Sequence, residues 1–321
     1  MIQDKNQRRA TIKTFTVYLI ASLLILSVIA PLGLIAHAHY SLRKNHLTTV
    51  GAMIRLWNVD LSANNVPRIN LQLDLLGVVF TLTPGAASYL VNSYNSEFCR
   101  DRLAIGVTQL SQETAQILSH ARNGLNLPNL KNISPKTLET LVSGDFDPMM
   151  SRFVIKVPEL TIEKAKVLSQ FKGFHLLVHR ISELSPGAAK ALAAADASPS
   201  FLTLNGFDLV SESAALALSE SRAIGLRLGS PRTPMESLSG AAAKALSKFQ
   251  GDLTIHVKHL PEEAVLEFSQ RERITTISGL EDLSENAAKI LASHDNLKVE
   301  RIRKLPSSIA NILRDKMKDR P

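Results

Sequence analysis

His256, Lys258 and His259 fall within one short stretch, and His175 and His179 form a second pair earlier in the chain. Imidazole clusters raise the possibility of a metal centre, but a tetrahedral site needs three or four convergent ligands. On an extended strand, side chains alternate between faces, so His256 and Lys258 share a face while His256 and His259 do not. These histidines therefore read as residues on a repeating surface. Asp145-Phe146-Asp147 has the aspartate alternation of a calcium loop without its glycine and terminal glutamate. Cys99 stands beside Arg100 and Arg102, whose charge favours a thiolate, yet a catalytic thiolate also needs a base within hydrogen-bond reach. No residue near it in sequence marks such a base, and Cys99 reads as a small, half-buried side chain.

With one cysteine in 321 residues, an intrachain disulfide, a cysteine-rich zinc module and a CxxC redox pair are excluded. The signatures GxSxG, HExxH, GxxxxGK[ST] and GxGxxG are absent. Asn132-Ile133-Ser134 is a glycosylation sequon in a host with that machinery, and Ser134 is better explained as a helix cap. The reading is of a non-enzymatic chain with no cofactor and no metal.

Charge argues the same way. The net +8 divides into +5 for residues 1–60, +5 for residues 296–321 and −2 for the stretch between. A phosphate-tracking groove concentrates Lys and Arg on the folded part of a chain. Here the excess sits at the ends, so no nucleic-acid partner is expected.

The elements that position these residues begin with a hydrophobic segment. From Thr14 to Leu42 there is no Asp, Glu, Lys or Arg. At 1.5 Å per residue, roughly 20 apolar residues match a hydrocarbon core about 30 Å thick. Residues 15–38 are expected to form a transmembrane anchor or a signal helix, with residues 15–36 in contact with the membrane. Lys5, Arg8, Arg9 and Lys13 make residues 1–14 a basic n-region. Ala36-His37-Ala38 fits a cleavage site, which leaves open a soluble exported protein cut near Ala38. The apolar run is longer than the 7–15 residues of a usual signal core, which favours an uncleaved anchor. The basic flank places the amino terminus in the cytoplasm and the remainder outside it, periplasmic or extracytoplasmic. Residues 39–68, polar and irregular, read as a stalk or cap.

Residues 69–321 repeat. An apolar residue, then Ser or Thr, then Ala five places on and Leu eight places on recur in LSQETAQIL (Leu110–Leu118), LTIEKAKVL (Leu160–Leu168), LSPGAAKAL (Leu184–Leu192), VSESAALAL (Val210–Leu218), LSGAAAKAL (Leu238–Leu246) and LSENAAKIL (Leu283–Leu291). LTPGAASYL and LPSSIANIL keep the frame, ISPKTLETL puts Leu138 at the alanine position, and LPEEAVLEF is the poorest copy, with its alanine one place early. Starts at 82, 110, 133, 160, 184, 210, 238, 260, 283 and 305 are about 25 residues apart on average. The Ser or Thr caps a short helix, and Glu113, Glu163 and Glu285 favour its positive end. Ahead of each helix, LNLPNLKNI (Leu125–Ile133), LTLNGFDLV (Leu202–Val210) and ITTISGLEDL (Ile274–Leu283) alternate at period two, as a half-buried strand does. Gly106, Asn129, Gly206 and Gly279 mark the turn out of the strand. Gly229–Ser237, Ser143–Met150 and Asn92–Asp101 read as loop insertions, and the basic carboxy-terminal end as a polar cap.

The unit LxLxGLxxLSxxxAxxL resembles the leucine-rich repeat, in a short bacterial-type variant with Ala in the helix. The resemblance implies an α/β solenoid: a stack of parallel strands and short helices, here preceded by one transmembrane or signal helix, with a role in binding proteins or other large ligands. The asparagine ladder and cysteine caps of the best-known members are missing. The strand residues that point away from the core form the expected binding face: Asn126, Thr203, Thr254, His256, Lys258, Thr276 and Lys298. The expected role is a membrane-anchored scaffold binding a protein outside the cytoplasm. The alternative is a structural envelope protein that self-associates or contacts cell-envelope polymer.

Overall fold

The computed structural model describes residues 82, 84–95, 103–130, 132–194, 199–302 and 304–318. All lie in the second of two compact units, Met1–Asn70 and Leu71–Pro321. The n-region, the anchor segment 15–38, the stalk 39–68 and Cys99 fall outside the described residues. Among the described residues, no helix is long and apolar enough to cross a membrane.

Strands and helices alternate along the described chain: α1 (Pro84–Tyr94), β1 (Leu103–Ala104), α2 (Gln112–Leu118), β2 (Gly124–Leu127), α3 (Pro135–Val142), β3 (Arg152–Lys156), α4 (Ile162–Leu168), β4 (His175–His179), α5 (Pro186–Ala193) and β5 (Phe201–Leu204). There follow α6 (Glu212–Ser219), β6 (Gly225–Leu228), β7 (Met235–Ser237), α7 (Gly240–Leu246), β8 (Asp252–His259), α8 (Glu262–Ser269), β9 (Thr275–Ser278), α9 (Glu285–Ser293), β10 (Leu297–Glu300) and α10 (Ser307–Lys318). The ten strands form one sheet in the order β1-β2-β3-β4-β5-β6-β8-β9-β10, with β7 paired to β8, and every pairing is parallel. Each helix lies against its neighbours in sequence. The result is a one-directional stack of strand–helix units with the core between sheet and helices.

The helices are two or three turns long and would not persist alone; capping and burial hold them. The side chains of Ser111, Ser134, Thr161, Ser185, Ser211, Ser239 and Ser284 each accept a hydrogen bond from the backbone N–H three residues on. The leucines at the eighth place, such as Leu118, Leu168 and Leu246, are fully buried. Full burial of one such side chain stabilises by about 1.5–3 kcal/mol.

Three details differ from the sequence pattern. Position four of the helical phrase is buried as well as position five: Ala188 with Ala189, Ala214 with Ala215, Ala242 with Ala243. The early alanine of LPEEAVLEF therefore fits, with Ala264 and Val265 both at 0% exposure, although Pro261 at its cap offers no side-chain acceptor. Ile274 does not begin the core row of its strand; it is exposed and Thr275 takes the buried place, because Thr275 is in register with Leu253 and Leu297. The left-handed turn after the strand is held by Gly206 and Gly279, and at the equivalent place in two other units by Arg180 (φ 58°) and Arg301 (φ 48°).

Candidate binding face

The sheet has one face against the helices and one turned away, and strand register decides which side chains share the second. Leu125, Phe153, Leu176, Leu202, Leu226 and Leu253 occupy one row across six strands and are buried. One residue on, the row reads Asn126, Val154, Leu177, Thr203, Arg227, Thr254, Thr276 and Lys298, each paired with the next. Because side chains alternate along a strand, this whole row stands on the outer face. Asn126, Thr203, Thr254, Thr276 and Lys298 are thus brought into a single line. Thr203 is itself 4% exposed and bonded to His175, with Nε2 and Oγ1 2.9 Å apart.

Two residues towards the strand starts, the same face carries Arg152, His175, Phe201, Gly225 and Asp252 in register. The Phe201 ring lies over Gly225 and 5.2 Å from the Phe174 ring. Two residues towards the strand ends come Lys156, His179, His256, Ser278 and Glu300. Here His256 and Ser278 are closed off from solvent. His256 is 3% exposed with neither ring nitrogen hydrogen-bonded, Ser278 is fully buried with Oγ unpartnered, and Nε2 of His179 also lacks a partner. Burial, with Arg227 and Arg301 nearby, lowers the His256 imidazole to about 4; burial, Arg180 and Lys156 do the same to His179. Both rings are held neutral.

Beside His256 lies the insertion Gly229–Ser237, which is not all loop. β6 and β7 both pair with β8, so they are one strand broken opposite His256. The intervening turn closes on itself, Ser230 N donating to Thr233 O at 3.2 Å and Thr233 N to Ser230 Oγ at 3.0 Å. Gly229 (φ +74°) touches His256, whose carbonyl oxygen would stand 2.6 Å from any Cβ there, and Pro234 packs towards Gly279. His256 is accordingly a buried member of the face.

Lys258 belongs to a separate cluster beside β7. Its Nζ donates to Glu236 Oε2 at 2.5 Å, and His259 reaches Glu236 at 3.3 Å and Asp282 at 3.7 Å. The Lys258 hydrogen bond holds the Glu236 carboxyl below its usual range and raises the lysine. Nearby, a groove of about 1080 Å³ runs past the helix starts, with Leu184, Val210, Leu238 and Leu260 along it and Glu183, Glu262 and Asp282 as its acids.

No protein-family model and no curated protein matches the chain. Chemistry must come from the residues themselves. Among the described residues no three His, Cys, Asp or Glu are grouped to hold a metal ion. Asp147 uses Oδ1 to accept the Met149 and Met150 N–H groups at 2.7 and 3.2 Å, which is turn capping. Ser134 caps α3. What the outer face offers is a register-aligned surface with an apolar and aromatic centre and cations spread across it.

The sequence pattern marks His175 as a surface histidine but does not single out Arg152, Phe201 or Arg227. The signal was present for Arg227, since LRLG repeats the spacing of LTLN around Thr203.

Proposed function

We propose that this chain is a non-enzymatic, leucine-rich-repeat-type scaffold, anchored through residues 15–38, that binds a protein partner outside the cytoplasm on the sheet face turned away from the helices. The observation that carries the reading is the unbroken row from Asn126 to Lys298: eight parallel strands each present one side chain to the same surface, in register. Such a surface grows with the number of units, which suits an extended ligand better than a small molecule. The polar helix surface carries its acids where the helix dipoles favour them, and so has a structural reason for its composition. The test pairs two substitutions on the row, Thr254→Glu and Thr276→Glu, with Glu163→Lys on a helix. Affinity recovery from native membranes should lose its partner with the first pair and keep it with the second; the opposite pattern defeats the proposal. A carboxy-terminal reporter active only outside the cytoplasm is the matching topology result.

A further inference from the structure

The middle of the chain is near neutral, but its charges are sorted by face. Glu113, Glu163, Glu212, Glu262, Glu263 and Glu285 lie in first helical turns. The outer sheet face carries Arg152, Lys156, Arg227 and Lys298 against Asp252 and Glu300. None of the four cations has a carboxylate within salt-bridge distance among the described residues, and Arg152, Arg227 and Lys298 are exposed. Cations that share one face and have no carboxylate partner among the described residues are a complement for negative charge.

We infer that the partner presents an extended acidic segment to this face, its carboxylates meeting Arg152, Arg227 and Lys298 and an apolar side chain between them resting on Leu177 and Phe201. This rests on the sheet face being the binding surface, and it names what that surface selects.

Spacing supports a polypeptide. Arg152 on β3 and Arg227 on β6 are three strands apart, as are Arg227 and Lys298 on β10. At about 4.8 Å per strand this gives roughly 15 Å between successive cations. An extended chain covers that in about four residues, so carboxylates recur every fourth position or so, with room for an apolar residue between. Duplex DNA carries one charge per about 1.7 Å of axis, far denser than these cations. Single strands need successive aromatic platforms, and this outer row offers the half-buried Phe201 ring beside His175. The half-buried Leu177 and Phe201 would also be left uncovered by a polyanionic glycan. Apolar burial at the centre with charges at the rim is how a protein partner is held.

The test pans random 16-residue peptides displayed on phage against the full chain in a nonionic detergent. Peptides with Asp or Glu about four residues apart around an aliphatic or aromatic residue are expected. Arg152→Glu with Arg227→Glu should weaken them by about tenfold or more, more so at low salt. Circular dichroism checks that the double variant folds, and Lys298→Glu replaces it if it does not. Neutral or basic peptides that are lost with Thr254→Arg overturn the acidic ligand and leave the face as the binding surface. Peptides indifferent to every one of these substitutions overturn the face itself, and recovery of none counts against both. Heparin or duplex DNA binding more tightly than any peptide, and lost with the same arginines, overturns the polypeptide.

Discussion

Phe201 covers Gly225 so closely that a Cβ on the glycine would stand 2.6 Å from both Cδ1 and Cε1 of the ring. The glycine's φ is not in the left-handed region, so the ring alone forbids a side chain there. Gly225→Ala should destabilise by about 1–3 kcal/mol, the range for overpacking, and shift the near-ultraviolet signal of the displaced ring. Phe201→Leu should recover most of the loss, because the two substitutions share one contact. Additive losses in chemical denaturation would show that the ring is not what excludes the methyl.

Protonation of His256 and His179 should weaken the fold. Their folded values near 4 lie below the ordinary 6.5. The unfolded chain thus takes up protons first as pH falls, and stability present above 6.5 is lost progressively down to about 4. The cations Arg227 and Arg301 near one ring, and Arg180 and Lys156 near the other, add to the cost that burial sets on protonation. For His256, buried as it is, the loss between pH 7 and 5 should be on the order of 1–2 kcal/mol. Denaturation midpoints at both pH values, for the native chain and for His256→Leu, read this directly. An equal pH dependence in the two would exclude the imidazole as its source.

Arg180 and Arg301 occupy the left-handed turn that other units give to glycine. A β-branched residue is a steric outlier at such φ, whereas asparagine visits it readily. Arg180→Val should therefore cost about 1–2 kcal/mol and Arg180→Asn should be neutral or slightly stabilising. Melting temperatures of the two variants give the order, and a reversed order would mean that packing, and not backbone strain, governs the site.

Much of the stack was legible because each unit repeats one small physical problem. A hydroxyl cap, an alanine where a helix packs close and a leucine two turns on are all written in LSPGAAKAL, and Ser185, Ala189 and Leu192 sit as that phrase implies. The row Asn126, Thr203, Thr254, Thr276 and Lys298 was legible for the same reason. Burial from outside the repeat was not. His256 and Ser278 have the alternation of exposed face residues but are buried, beside the place where the strand breaks at Gly229 and Pro234 packs towards Gly279. Lys258 was likewise grouped with the face by parity, but the strand there runs beside β7, whose Glu236 engages it. Period-two patterning reports which side of a strand a residue is on and carries no information about an insertion lying over that side.

Two side chains tie successive units together through backbone carbonyls, and they should differ in what they contribute. Asn296 Nδ2 donates to the carbonyls of Arg271, Phe268 and Ser269 at 2.7, 3.2 and 3.3 Å, at the end of α8. Arg271, 7% exposed, donates from Nη2 to Gly251 O at 2.6 Å and Phe249 O at 3.0 Å, but its Nε and Nη1 find no partner. Burial lowers this guanidinium to about 10, which reflects the cost of holding its charge there. Asn296→Leu leaves helix-end carbonyls without a donor and should cost about 1–3 kcal/mol. Arg271→Met also removes a donor, yet it relieves a half-satisfied buried charge, so its net cost should be the smaller of the two. Chemical denaturation of the two variants decides the order. A larger loss for Arg271→Met would mean that its two carbonyl bonds outweigh the desolvation of the charge.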